Sequence, residues 1–187
     1  MSLFFRSLWV YILSFFRPRI RDILDVATLD FHVLPNDLDT NIHMNNGRYL
    51  TIMDLGRFDL VLRTGLLKHM MRKKAMPVLS AAQVRWRLSL NPFQKFTLET
   101  RVACWDDKWV YMEQRFIIRG GSKDGAVAAI GIVKGSFYNT IQKATVPTPE
   151  LLRALNLDKQ SPPMPQHIRE WQVAEEHLKA VTATDVQ

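Results

Sequence analysis

The sequence predicts an α+β domain in which one long helix packs against a single curved antiparallel sheet. Three observations lead there. Of the 187 residues, 47% are apolar and 23% charged, a balance that supports a packed core and argues against a disordered chain. Within residues 47–64 the positions Tyr49, Ile52, Met53, Gly56 and Val61 recur at three- and four-residue steps, the spacing of one buried helical face. From Met76 onward the period drops to two, the spacing of a strand with one face buried.

The elements follow in chain order. Residues 3–16 read LFFRSLWVYILSFF, with Arg17, Arg19 and Arg21 behind them. As a helix this stretch would be roughly 21 Å long, too short to span a bilayer. Ser7 and Ser14 fall one heptad apart and leave a narrow polar face opposite a wide apolar one. Positive charge follows the apolar run and no small-x-small site appears, which argues against a cleaved signal peptide. Two readings stay open: a helix lying in a membrane surface with its arginines on acidic headgroups, or a helix packed on the protein's own body or on a partner subunit.

A short strand is expected at 27–34, then a polar loop, then the long helix at 47–64. Asn45 or Asn46 can cap its start and Gly65 can end it. Residues 68–74 are a basic stretch. In the strand that begins at Met76, the residues Met76, Val78, Val84, Trp86 and Leu88 form the apolar face. Phe96, Leu98, Val102 and Cys104 mark the next strand, Val110, Met112, Phe116 and Ile118 the third, and 126–138 the fourth. The last is rich in Ala, Gly and Val, which implies close packing on something bulky. Asp106–Asp107 and GGSKDG turn the chain between them. The four long strands read as a meander. Surface helices are expected at 148–155 and 165–179, joined through SPPMP. Residues 1–21 thus form an amphipathic segment, 22–145 the domain, and 146–187 a helical extension.

Composition narrows the function. Twenty-five Lys and Arg against 18 Asp and Glu give a net charge of +7, which favours anionic partners. One cysteine, Cys104, excludes an internal disulfide framework and a Cys-rich zinc site, and fits a reducing, cytoplasmic setting. His32, His69, His167 and His177 lack metal-ligand spacing, so no metal site is expected. Neither a Gly-rich phosphate loop nor a G-x-S-x-G elbow occurs. Nucleic acid is not an expected partner, since basic charge alone carries no helix-turn-helix, zinc-finger or RNP-type signal.

The chemistry concentrates in DLDTNIHMNNGRY, residues 37–49. Carboxylates, amides and an imidazole stand just before the long helix, whose free N–H groups make a positive end. That end can stabilise an oxyanion on a carbonyl. Asp39 could act there as a nucleophile or as general base for water, Asn41 could orient it, and His43 could bond the carbonyl or move a proton. The same residue types are ordinary turn and cap formers. Arg72, Lys73, Lys74, Arg85 and Arg87 are candidates for a coenzyme's phosphates, with solvated surface charge the default for each. Asp54 and Arg57 read as an i, i+3 ion pair.

This loop, with the order of elements around it, resembles the hotdog-fold acyl thioesterases of the 4-hydroxybenzoyl-CoA thioesterase-like and plant acyl-carrier-protein kinds. More narrowly, LPNDLDTNIHMNNGRYL, CWDDKWVYMEQRF and PPMPQHIREW are similar to segments of the thioesterase superfamily member 6-like group. The resemblance spans residues 25–171. It implies a hotdog fold over residues 22–145, an acyl-CoA or acyl-carrier-protein substrate, no cofactor, and a homodimer with sites at the subunit interface. It also implies Asp39, Asn41 and His43 as catalytic residues, and Asn46, Gly47 and Tyr49 as residues shaping the oxyanion site and the start of the helix. Two other functions compete. Hotdog hydratases carry His five residues after Asp, whereas His43 follows Asp39 by four and no proline follows Asn41. A non-catalytic acyl-chain-binding or membrane-associated scaffold on the same fold is the other.

Overall fold

The computed structural model describes residues 3–155 and 159–184; residues 1–2, 156–158 and 185–187 lie outside them. The first helix, α1 (Leu3–Ser14), precedes β1 (Ala27–His32). The long helix α2 (Asn46–Arg63) follows, and then α3 (Leu66–Lys73), β2 (Ala75–Trp86), β3 (Lys95–Trp105), β4 (Val110–Arg119), β5 (Val127–Asn139), β6 (Ala144–Val146), α4 (Thr148–Ala154) and α5 (Gln166–Thr184).

Asn45 caps α2 by accepting the Gly47 N–H at 2.8 Å, and Gly65, at φ 78°, carries the chain out of it. That is the expected chemistry at both ends. Tyr49, Ile52, Met53 and Gly56 all lie on the buried face. The helix rests on the concave side of the sheet, where small residues admit it. A Cβ on Gly131 of β5 would stand 2.5 Å from the Met53 Cε, and Ala128 and Ala129 beside it are fully buried. The bulky neighbour expected of β5 is therefore α2 itself. On the helix side, a Cβ on Gly56 would stand 2.7 Å from Leu98 and 2.8 Å from the Gln114 amide.

The sheet order is β1-β3-β4-β5-β2, with β6 pairing β5 and every pair antiparallel. The expected meander holds only for β3, β4 and β5. β2 does not neighbour β3; it crosses to the far side and pairs with β5 from Ala75 opposite Asn139 to Trp86 opposite Ala129, with an irregularity at Ser80. Its expected buried face holds only in part. Val84 and Leu88 pack against the core, whereas Met76, Val78 and Trp86 are exposed, on an edge strand that has a neighbour on one side only among the described residues.

The basic stretch at 68–74 forms most of the helix α3 and its left-handed cap at Lys74. Leu66 and Met70 bury one side of it against Ala75, Val146 and Leu151. The terminal helices contribute to the core. Val10 of α1 is fully buried in the cluster that holds Leu29, Tyr49 and Phe116. Ile168 of α5 packs on Cys104, Tyr111 and Ile132, and Lys134 beneath α5 pairs with Glu175 while lying over the Trp109 ring.

Candidate active site

Loop 33–45 is built around two carboxylates with different jobs. Asp37 is wholly buried. It takes Arg6 of α1 at 3.0 Å, Arg48 of α2 at 3.2 Å and the Leu34 N–H at 2.9 Å, while its carbonyl accepts the Asn45 N–H at 2.8 Å. Charge-paired on two sides, it fastens the loop to both helices.

Asp39, two residues on, is half-buried. Its Oδ1 accepts the backbone N–H groups of Asn41 (2.9 Å) and His43 (3.3 Å), and its own N–H donates to the His43 carbonyl at 2.9 Å. Its Oδ2 takes no hydrogen bond among the described residues. The tight turn drives Ile42 to φ 57°, a conformation that costs a β-branched residue free energy and survives only where neighbours enforce it. Here the enforcing group is the Asp39 carboxylate.

The structure gathers Asp39, Asn41, His43, Asn46, Gly47 and Tyr49 around the start of α2, with distinct surroundings. Asn41, Asn46 and Gly47 are exposed and His43 is half-buried. The Gly47 N–H is already used by the Asn45 cap. The Asn46 N–H has no bond to a side chain or loop carbonyl among the described residues. Tyr49 is a core residue: its ring meets Phe116 at 4.8 Å and Trp86 at 6.3 Å between centroids. Burial pushes its hydroxyl pKa up to about 12, the Leu90 backbone pulls it down in part, and the Asp39 charge pushes the same way as burial. Tyr49 is therefore a neutral phenol within electrostatic reach of the Asp39 carboxylate.

A second feature lies at the other end of β2. An apolar cavity of about 700 Å³ opens between the second half of α2, α3, α4 and the first residues of β2, within the usual size of small-molecule sites. Phe58, Val61, Met70, Met76, Leu79 and Met112 line it, and none of the six loop and helix-start residues does. The carboxylate in its wall is Asp54, paired with Arg57, whose guanidinium also donates to Gln114 at 2.8 Å. Burial lowers the Arg57 pKa and Asp54 partly restores it. Gln114, fully buried in β4, passes its amide on to the Met53 carbonyl and the Thr100 hydroxyl, both at 2.9 Å. The expected i, i+3 ion pair is thus the visible end of a polar chain through the core.

The basic candidates fall into two groups at opposite ends of β2. Arg72, Lys73 and Lys74 stand at the cavity end, where Lys73 pairs with Glu150 at 2.9 Å and Arg72 meets His69 at 2.9 Å. Arg85 and Arg87 are exposed at the other end, on the side of the Asp39 loop. Among the described residues there is no cluster of His, Cys, Asp and Glu able to hold a metal ion.

Residues 33–172 match the model of a thioesterase-like superfamily. The chain belongs to that superfamily. The protein THEM6 of Danio rerio is 37% identical over 144 residues, 74% of this chain and 70% of that protein. A probable thioesterase of Saccharomyces cerevisiae is 32% identical over 98 residues, 51% of this chain and 42% of that protein. Among solved structures, YbaW, a probable thioesterase from Escherichia coli, superposes with a TM-score of 0.64 at 17% identity, over 70% of this chain and 96% of that one. The helix wrapped by an antiparallel sheet is accordingly the hotdog fold.

Two features of this superfamily member escaped the sequence. In the sequence Asp37 looks no different from Asp39, because nothing local shows that Arg6, 31 residues earlier, buries it. The Asp54–Arg57–Gln114 chain has only its i, i+3 part visible, since Gln114 arrives from another element.

Proposed function

We propose that this protein hydrolyses acyl-CoA thioesters as a homodimer, with Asp39 of one protomer acting on a thioester whose acyl chain lies in the cavity of its partner. One observation carries this reading: the loop and the cavity occupy opposite ends of a strand whose outer edge has no neighbour among the described residues. An open edge lined by Met76, Val78, Leu79 and Trp86 invites strand pairing. Antiparallel pairing of two β2 strands about a two-fold axis sets the cavity end of one beside the loop end of the other. The same pairing brings Arg72, Lys73 and Lys74 toward the partner's Arg85 and Arg87, a combined positive field for the coenzyme's phosphates. The superfamily match and the thioesterase named among its yeast relatives support the reaction class.

In the chemical step, the fixed Oδ1 leaves Oδ2 of Asp39 as the reactive oxygen. It removes a proton from water as that water adds to the thioester carbonyl, and collapse of the tetrahedral oxyanion breaks the C–S bond and releases the coenzyme thiolate, which takes up the proton; alternatively it adds to the carbonyl itself, expelling the thiolate to give an anhydride that water opens to two carboxylates. The start of α2, with the Asn46 N–H, stabilises the oxyanion. Asn41 and His43 frame the carboxylate through their backbones, and Tyr49 beneath stays neutral. The same reading puts the protein's work in lipid metabolism at the cytoplasmic face of a membrane, supported by the apolar side chains that residues 3–16 expose.

Thiol release from palmitoyl-CoA and shorter acyl-CoAs is the test. Asp39→Asn keeps an oxygen for the two backbone bonds and so keeps the turn; the expected loss in kcat is about 100-fold or more. Unchanged turnover would overturn the assignment. A second reading has its own observation, since Asp54 is the carboxylate in the cavity wall. Loss confined to Asp54→Asn would transfer the role to it, and tight binding without turnover in the wild type would make the protein an acyl-chain carrier.

A further inference from the structure

The first helix is mounted inside out. Arg6 and Val10 are its buried residues, four apart on one face. The opposite face presents Phe4, Phe5, Leu8, Trp9, Ile12 and Phe15 to solvent, and Phe16 beyond the last turn is 82% exposed. An ordinary surface helix turns its apolar stripe to the core and its charges to water. Here the cation is inside, held by Asp37 and by the His32 carbonyl, and the aromatics are outside.

Charge tells what covers this face. Residues 1–21 contain Arg6, Arg17, Arg19 and Arg21 and no Asp or Glu. Arg19 and Arg21 are exposed and make no ion pair among the described residues. They follow Phe15 and Phe16 directly in the chain, after Arg17 and Pro18. Aromatic side chains with adjacent arginines and no acid suit the boundary between acyl chains and anionic headgroups. No helix among the described residues is long and apolar enough to cross a membrane.

We infer that α1 is a fixed plate that docks the protein on anionic bilayer surfaces, lying in the interface with Phe5, Trp9 and Phe16 inserted and Arg19 and Arg21 on lipid phosphates. This rests on the reading of the protein as an acyl-thioester enzyme at a membrane, and adds how it is seated there. The plate is not a detachable tail. Arg6 ties its rear to Asp37, two residues before Asp39, so one helix touches the lipid with one face and the catalytic loop with the other. Docking therefore sets the height of that loop above the bilayer. An amphiphilic acyl-CoA partitions into the same interface, which presents substrate where the loop is held.

The experiment is co-sedimentation of the full chain with phosphatidylcholine vesicles, with and without about 30% phosphatidylserine, at low and high salt. Two variants accompany it: Phe5→Ser with Trp9→Ser and Phe16→Ser, and Arg19→Glu with Arg21→Glu. All five positions face water, so melting temperatures should match the wild type. Butyryl-CoA hydrolysis without vesicles is measured in parallel. Expected are binding favoured by phosphatidylserine and weakened by salt, and at least about a tenfold loss in each variant. A wild type that stays in the supernatant, or variants that bind as well as it does, would overturn the proposal. So would a wild-type assembly in solution that the aromatic variant dissolves without any vesicle binding, because the face would then belong to a second copy. Vesicle binding in a protein that hydrolyses no acyl-CoA would uphold the docking surface and sink the enzymatic reading instead.

Discussion

Arg6 of the first helix grips Asp37 through both terminal nitrogens, at 3.0 and 2.5 Å, with both side chains almost wholly out of water. Removing one member of a buried pair leaves an uncompensated charge, which typically costs 3–5 kcal/mol. Arg48 and the Leu34 N–H remain on Asp37 in Arg6→Ala, so the expected loss is about 3 kcal/mol, at the lower end. Urea unfolding measures it. Asp37→Asn combined with Arg6→Ala should cost less than the two losses added. Additive losses would mean that the pair is not coupled.

A glycine in the interior of an exposed helix is usually improved by alanine, by roughly 1 kcal/mol. Gly56 should reverse that sign. Its missing Cβ is the space taken by Thr100, Leu98 and the Gln114 amide, and the last of these holds Arg57 in place. Gly56→Ala should destabilise by about 1–3 kcal/mol through overpacking, and should raise KM for acyl-CoA if the polar chain reaches the cavity. Thermal unfolding of the variant gives the sign directly.

Periodicity carried the fold a long way because α2 and β3 to β5 each have one face against the same core. Tyr49, Ile52 and Met53, or Phe96 and Leu98, therefore show the spacing of their element. β2 broke this logic. Its alternating apolar residues serve an edge that is open in one chain, so Met76 and Trp86 look like core residues and are not. Residues 68–74 broke it differently: four basic side chains mask a two-turn helix that buries only Leu66 and Met70. At the site, the 37–49 string announced a loop of acids and amides beside a helix start. It could not say which acid would be locked in a core, since that depends on Arg6 returning from the far end of the chain.

The methionines and aliphatic residues around the 700 Å³ cavity make an adaptable lining. If acyl chains lie there, reducing its volume should select against long ones. Val61 is half-buried in the wall of the cavity and Val61→Phe would intrude into it. The expected kcat/KM for palmitoyl-CoA falls by about tenfold or more, on the order of 1.4 kcal/mol in transition-state binding, while butyryl-CoA changes little. A uniform loss across chain lengths would put the acyl chain elsewhere.

The open edge of β2 makes the dimer testable without touching the site. Ala82 is exposed near the middle of the strand and does not line the cavity. Across a two-fold axis through that middle, Ala82→Glu sets two carboxylates close together, and like charges on paired strands repel. Light scattering should show a monomer, and acyl-CoA hydrolysis should fall with it, since each site would lose the half its partner supplies. A variant that stays dimeric would move the interface away from β2.

Above neutral pH the core should weaken in a defined direction. Burial pushes the Cys104 thiol up to about 11 and the Tyr49 hydroxyl up to about 12, and raises Tyr111 as well. In the unfolded chain these groups lose their protons near 8.5 and 10. Between those values and the folded ones, the unfolded state holds fewer protons than the native state, so stability falls as pH rises. The loss begins near pH 8.5 with Cys104, and its own share is on the order of 3 kcal/mol by pH 11; the tyrosines add to it above pH 10. Urea midpoints measured from pH 7 to 11 should decline through that window, and Cys104→Ala should flatten its first part. Until the native state opens, the thiol should also resist iodoacetamide at pH 8, because it is both buried and protonated. Rapid labelling of the folded protein, or midpoints that stay level to pH 11, would show that Cys104 and the two tyrosines are not sealed in the core as described.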